Sequence, residues 1–339
     1  MKTSQFDYNL PPEYIAQTPV EPRHASRLLI LNRSSGEITH SHFYELGKFL
    51  QRGDLLVINK TRVLPARIYA RKPTGGKVEL LLLRSLEPSI WRVLVGGKRV
   101  KRGLVLQIPN GPNAEIIEEL SGAERLVNFS EPIVPFLDSI GEMPLPLYIH
   151  ETLEDPERYQ TVYSKESGSA AAPTAGLHFS EEYIEKLKSK GILFAEVTLH
   201  VGLDTFAPVT EEKAEDHKIH KEWCRVTQEI ADLINQTHLS GGRIVAVGTT
   251  TVRVLETVAK YAYQECIVGE FAGMTDLFIL PGFQFRVVDA LVTNFHLPHT
   301  TLLMMVSAFA GMERIMHAYQ TAIQENYRFY SFGDAMLIM

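Results

Sequence analysis

Cysteine is almost missing from this chain. Cys224 and Cys266 are the only two in 339 residues, and neither belongs to a CxxC pair. That argues against a disulfide scaffold or a zinc ribbon and for a reducing, cytoplasmic setting. The opening MKTSQFDYNLPPEY has no apolar core of the kind a secretory signal needs. No apolar run approaches the roughly 18 residues that span a bilayer; the longest, such as TLLMMVSAFAG, have core-helix length. Several signatures are absent too: GxGxxG after a strand, GxxxxGK(S/T), HExxH and GxSxG. Dehydrogenase, P-loop NTPase, zincin and serine-hydrolase readings lose their usual footing with them.

What is present has ordinary globular character, with 45% hydrophobic and 22% charged residues, and enough length for two domains with separate cores. The net charge of −6 by itself disfavours a nucleic-acid partner, but its distribution is uneven. Between Lys60 and Arg102 stand twelve basic and two acidic residues, a net +10, leaving 22 basic and 38 acidic elsewhere, a net −16. A basic patch on an acidic protein can hold a phosphate backbone while the remainder repels other polyanions. The alternative is a solvated, strand-rich face that happens to be basic.

Patterning divides the chain. The first 60 residues read as a short helix at PPEYIAQ, a hairpin around Ser34-Ser35-Gly36, and a buried strand after Gly53-Asp54. From Pro65 to Pro146 come short alternating runs such as KVELLLLRS and IWRVLVGG, punctuated by Gly, Pro and Asn at roughly 8–12-residue spacing. That pattern predicts a small β-barrel or sandwich. Strand-and-helix patterns flank it on both sides, so residues 65–146 read as an insertion, with MPLPLY as return linker. The expected core is a discontinuous α/β domain, a mixed sheet with helices, built from 1–64 and 147–339. In it Ser180 caps a helix ending at Gly191, and FRVVDALVTNF reads as a strand.

Four stretches could carry chemistry. GSAAAPTAGLHFS has neither helical nor strand periodicity and is unusually apolar for a loop. RIVAVGTTTVRVLE runs a β-branched strand into Gly248, which permits close backbone approach, and then into a helix start that suits an anion. There Thr249 and Thr250 could donate hydroxyls with Arg253 one turn on, or could simply cap the helix. DALVTNFHLPHTTLLMM puts Asn294, His296 and His299 just past a strand's carboxyl end, where α/β proteins often hold ligands. EDHKIHKEW spaces His217 and His220 as i, i+3, but metal binding would need a third ligand from elsewhere, so no metal site is expected.

FDYNLPPEYIAQTPVEPRHASRLLIL, GDLLVINKTRVLPARI, ERYQTVYS, GSAAAPTAGLHFS, VGTTTVRVLE, TNFHLP and YRFYSFGDAMLI together resemble the S-adenosylmethionine:tRNA ribosyltransferase-isomerases of queuosine biosynthesis. The likeness runs nearly end to end in the family's order; the β insertion is similar more in layout than in residues. Asp204 and Ala207 stand where the family usually has Gly and Arg, Ala171 where Val is common, and His299-Thr300 where Lys-Ser is usual.

The resemblance implies a transferase that moves the ribosyl portion of S-adenosylmethionine to 7-aminomethyl-7-deazaguanine at the wobble position of tRNA with a GUN anticodon. The products are epoxyqueuosine-tRNA, adenine and methionine. It implies no metal and no cofactor beyond S-adenosylmethionine, which is consumed. The chemistry needs a base for the acidic carbon beside the sulfonium and an acid near the departing adenine. His178 and His296 are the acid/base candidates, with Asp289 and Glu196 as further carboxylates. Pro173, Thr174 and Gly176 would shape a small-residue loop beside the substrate, with Asn294 close by. Gly248, Thr249, Thr250 and Arg253 could hold the methionine carboxylate or a tRNA phosphate. Arg67, Arg71, Lys72, Lys98, Arg99, Lys101 and Arg102 are the expected tRNA contacts. A non-catalytic RNA-binding module retaining the fold is the alternative, and an RNA methyltransferase a third reading, weakened by the missing glycine-rich loop. No dimer stripe is evident, so a monomer is expected.

Overall fold

The computed structural model describes residues 1–146, 148–202, 208–263 and 265–339. Asp204 and Ala207 lie outside the described residues, as does Leu147 in the expected linker. The chain divides into two compact units. Met1–Thr61, Leu147–Glu166 and Ala172–Met339 form the first; Arg62–Pro146 with Ser167–Ala171 form the second.

Among the described residues, nine strands of the first unit form one mixed sheet. They are β1 (Arg27–Leu31), β2 (Ile38–His42), β3 (Leu55–Asn59), β4 (Leu193–Leu199), β5 (Glu222–Val226), β6 (Ile244–Val247), β7 (Phe271–Thr275), β8 (Ala290–Asn294) and β9 (Ala335–Ile338). Their order is β7-β5-β4-β3-β6-β8-β9-β1-β2. Strands β4, β3, β6 and β8 are mutually parallel, and β9 turns antiparallel to β8. The runs LLVIN, IVAV and ALVTN are buried at every position, as strands covered on both faces must be. One side chain cluster includes Leu56, Phe43, Phe179, Leu187, Val245 and Val292. Each such fully buried side chain contributes roughly 1.5–3 kcal/mol.

The helices follow their sequence punctuation. Ser180 caps α1 (Glu181–Ser189) by accepting the Tyr183 N–H at 3.2 Å, and Gly191 follows it at φ 83°. Thr227 caps α2 (Gln228–Leu239). Helix α3 (Thr249–Val258) follows β6 directly, Thr300 caps α4 (Thr301–Ala310), and α5 (Met312–Gln324) follows Gly311. Two expectations are corrected. PPEYIAQ gives only a 3-10 turn, Pro12–Tyr14. The strand read from Phe285 begins at Ala290, because the N–H groups of Arg286, Val287 and Val288 donate to the Glu256 carboxylate rather than to a neighbouring strand.

The second unit is a curled antiparallel sheet. Lys77–Ser85 alternates inward Val78, Leu80 and Leu82 with outward residues, the period-2 pattern of a strand with one buried face. Inward residues from Arg67–Arg71, Ile90–Gly96, Ala114–Glu119 and Glu124–Phe129 complete its core, among them Ile68, Trp91, Ile116 and Val127. Gln107, just past Val105–Leu106, exchanges two 2.8 Å backbone hydrogen bonds with Arg71. The curl therefore brings the two ends of the sheet together, as in a barrel.

Candidate active site

A cleft of about 540 Å3, its solvent-open mouth included, sits at the carboxyl ends of β6 and β8. That position is the usual one for ligands in α/β sheets. The turn from β6 into α3 forms its first wall. Gly248 donates to Val292 O at 2.8 Å, which ties the end of β6 to β8. Its φ is 90° and ψ 152°, a region only glycine adopts without strain. A Cβ there would meet Thr250 Oγ1 at 3.5 Å and Ala175 Cβ at 3.7 Å, ordinary contacts. The backbone angle, not space, requires the glycine.

The threonines do not cap α3, since no side chain takes its N-cap hydrogen bond. Thr251 donates back to Val247 O at 2.8 Å. Thr250 lines the cleft, is 7% exposed, and its Oγ1 has no hydrogen-bond partner among the described residues. A buried hydroxyl left unpaired costs roughly 1–3 kcal/mol, so this one is kept for something other than stability. It stands at a helix start whose dipole favours electron-rich groups.

The second wall comes from the end of β8 and the segment before β9. Asn294 is the hub. Its Nδ2 donates to Tyr330 O at 3.2 Å and to His178 Nε2 at 3.1 Å, and its Oδ1 accepts from Thr174 Oγ1 at 2.9 Å. Because a carbonyl can only accept, the Tyr330 contact fixes which end of the amide carries nitrogen. His178 Nε2 is then an acceptor, and its Nδ1–H donates to Ser26 Oγ at 2.8 Å. Tyr330 is held at φ 74°, unusual for a bulky residue, with its ring centroid 4.1 Å from that of Tyr148.

The two histidines therefore differ in place. His296 lines the cleft, with Nε2 2.8 Å from Thr293 Oγ1. His178 does not; it lines a smaller cavity with Ser26, Arg23 and Arg158 and stacks on Phe43 at 5.1 Å. Burial pushes both imidazoles down to about 3, and for His178 the Arg23 and Arg328 guanidinium groups add to it. Both rings are neutral near pH 7.

The expected residues come together only in part. Pro173, Thr174, Gly248, Thr249, Thr250, Asn294 and His296 line the cleft. Gly176 does not: a Cβ on it would stand 2.1 Å from Tyr163 Oη, so its smallness serves core packing. Asp289 accepts the Ile244 N–H at 2.8 Å at the opposite ends of β8 and β6. Glu196 pairs with Lys165 at 2.7 Å. Arg253 lines a different cavity. Sequence reasoning missed Tyr330 and Ser331, which line the cleft although they sit in the resembling stretch YRFYSFGDAMLI. Nothing in their residue types announces a positive-φ turn folded back onto β8.

In the second unit, Arg71, Lys98, Arg99, Lys101 and Arg102 are exposed, and Lys72 donates to Lys98 O, bringing the turns at 72 and 98 together. Arg67 pairs with Glu79 at 3.1 Å.

Comparison with known proteins places the chain. The family model described as "Queuosine biosynthesis protein" matches residues 3–338. A Thermotoga maritima relative is 54% identical over 340 residues, and one from Staphylococcus epidermidis 50% over 344, each match covering the whole of both chains. Both are named S-adenosylmethionine:tRNA ribosyltransferase-isomerase. The crystal structure of the S-adenosylmethionine tRNA ribosyltransferase from Thermotoga maritima is similar with TM-score 0.58 and 44% identity, over 99% of this chain and 100% of that one. An identity of half or more along the full length leaves one conclusion: the chain belongs to the queuosine biosynthesis protein family.

Proposed function

We propose that this protein transfers and isomerises the ribosyl moiety of S-adenosylmethionine onto 7-aminomethyl-7-deazaguanine at the wobble position of GUN-anticodon tRNA. Epoxyqueuosine-tRNA, adenine and methionine are the products. The observation that carries this reading is the full-length identity to relatives bearing the name of that activity. The cleft supports it. Among the described residues its lining holds hydroxyls, an amide, aromatic rings and a neutral imidazole, but no Lys, Arg, Asp or Glu. Such walls suit flat, neutral ring systems, which hydrogen-bond and stack without needing a counter-charge.

The sulfonium makes the adjacent ribose carbon acidic, and a neutral imidazole can accept a proton from it. His296, the ring in the cleft, takes that role. Adenine leaves carrying a proton passed back from the imidazolium, the uncharged aminomethyl nitrogen bonds to the ribosyl carbon skeleton and gives up a proton, and the C–S bond breaks with its electron pair on sulfur to release methionine. His178 acts through Asn294, holding Thr174 and the Tyr330 carbonyl in place. The scheme balances without a metal or added cofactor, because S-adenosylmethionine supplies the reactive carbon. Gly248, Thr249 and Thr250 meet the electron-rich edge of a bound group.

The basic turns of the second unit hold tRNA phosphates, with residues 65–146 acting as an inserted barrel domain of a cytoplasmic monomer. Among the described residues no helix is long and apolar enough to cross a membrane. Adenine and methionine should appear in equal amounts when the protein meets S-adenosylmethionine and substrate tRNA. S-adenosylhomocysteine in their place would mark a methyltransferase, and no small product with tRNA still bound would mark an RNA-binding module. Near-normal single-turnover rates in both His178→Ala and His296→Ala would remove the histidines from the scheme.

A further inference from the structure

The first unit holds a second cavity that the reading above does not use. It has about 480 Å3 with its open mouth and is lined by Arg253, Glu222, Leu277, Ile279, Leu302 and Met305, among others. It abuts the main cleft. Leu302 lines both, Val201 and Gly202 are adjacent in sequence with one facing each, and Thr250 and Arg253 lie one turn apart on α3, again one to each.

The chemistry of the two walls is opposite. The main cleft has no charged side chain among the described residues, whereas here Arg253 is 4% exposed and pairs with the Glu222 carboxylate. Its Nε donates to Leu277 O at 3.1 Å and its Nη1 to Glu222, yet Nη2 has no partner among the described residues. Two guanidinium N–H donors left unpaired in the interior are costly. The rest of the lining mixes the apolar Leu277, Ile279, Leu302 and Met305 with the rings of His217 and His220. A donor pair next to an apolar strip suits a carboxylate carried on a short unbranched chain.

We propose that this cavity is the binding subsite for the carboxylate end of the methionyl group, with Arg253 Nη2 donating to it and the thioether chain lying on Leu302 and Met305. The inference rests on the function proposed above, and deepens it by separating two subsites. The nucleoside occupies the main cleft and the amino-acid tail reaches past Leu302 into the charged cavity. Product methionine leaves by the same cavity.

The test compares ligands on the intact protein. Binding is measured by calorimetry for S-adenosylmethionine, for its decarboxylated analogue and for 5′-methylthioadenosine, which lacks the amino-acid tail. S-adenosylmethionine should bind about 10- to 100-fold more tightly than the decarboxylated analogue, the range expected for loss of a charge-assisted hydrogen bond. In Arg253→Lys, which keeps the charge but loses the fork, that ratio should fall several-fold while 5′-methylthioadenosine binds as before. Should this variant fail to fold, Ile279→Trp supplies the second arm. Filling the cavity without touching the ion pair should weaken S-adenosylmethionine but not 5′-methylthioadenosine. Equal affinity for the first two ligands, or equal weakening of all three in Ile279→Trp, overturns the subsite. If adenine is still released in that case, only the subsite is wrong. If no ligand binds and no adenine forms, the proposed function fails with it.

Discussion

Asn294 holds the unprotonated nitrogen of His178. Its amide donates to Nε2 at 3.1 Å, while the Tyr330 carbonyl, accepting from the same nitrogen at 3.2 Å, prevents the amide from turning over. One side chain thus joins the end of β8, the loop at 172–178 and the turn before β9, and sets the tautomer of a buried imidazole.

Asn294→Asp follows from this geometry. A carboxylate has no N–H to give, so Tyr330 O and His178 Nε2 both lose their donor, and Tyr330 O faces a like partial charge. Stability should fall by roughly 1–3 kcal/mol in denaturant unfolding, and single-turnover adenine release by about 10- to 100-fold. Unchanged values for both would show that the hub does not position the cleft.

Stability should also fall on mild acidification. Burial holds His178 and His296 near 3 in the folded state, against about 6.5 when unfolded. Between those values the unfolded chain binds more protons, so lowering the pH favours unfolding. The stabilisation is complete above about 6.5 and is lost progressively as pH falls toward 3. From pH 7 to pH 5 each histidine contributes a loss of about 2 kcal/mol. Urea midpoints at the two pH values check this, and His178→Gln should reduce the drop by about 2 kcal/mol. The same drop in the variant would contradict it.

Gly248→Ala separates backbone angle from space. Room exists for the methyl group, but φ 90° with ψ 152° does not suit alanine. The expected cost is roughly 1–3 kcal/mol, with weakened S-adenosylmethionine binding as the start of α3 shifts. A variant as stable as the parent would mean that the turn relaxes freely.

Much of this was legible beforehand, for physical reasons. Ser180 and Gly191 mark the two ends of α1 by local hydrogen bonding and backbone freedom, which residue type reveals. The loop past β8 was legible because strand ends in α/β sheets gather ligands, and Asn294 and His296 do reach the cleft. Orientation was not legible. His178 turns its ring to Ser26 and away from the cleft, Arg253 faces a neighbouring cavity, and Asp289 sits at the far end of its strand. Each depends on which way a side chain leaves a known element, and tertiary packing decides that. Gly176 illustrates the same limit. Its value lies in contact with Tyr163, thirteen positions away, and not in the loop that contains it.

The basic turns of the second unit make a separate prediction. Lys98, Arg99, Lys101 and Arg102 are exposed, and the Arg102 N–H donates to the Glu119 carboxylate at 3.4 Å. If they hold tRNA phosphates, changing all four to Ala should weaken tRNA binding at every sequence tested. It should also flatten the slope of log affinity against log salt by roughly 0.7–0.9 per lost contact. An unchanged slope would assign the patch to solvation alone.

The most direct test of the central claim is the mass of the wobble nucleoside after the protein has acted on tRNA carrying 7-aminomethyl-7-deazaguanine in the presence of S-adenosylmethionine. The account predicts a gain equal to the transferred ribosyl-derived ring, with one adenine released per tRNA modified. A gain of a single methyl group, or an unchanged nucleoside while tRNA remains bound, would contradict it.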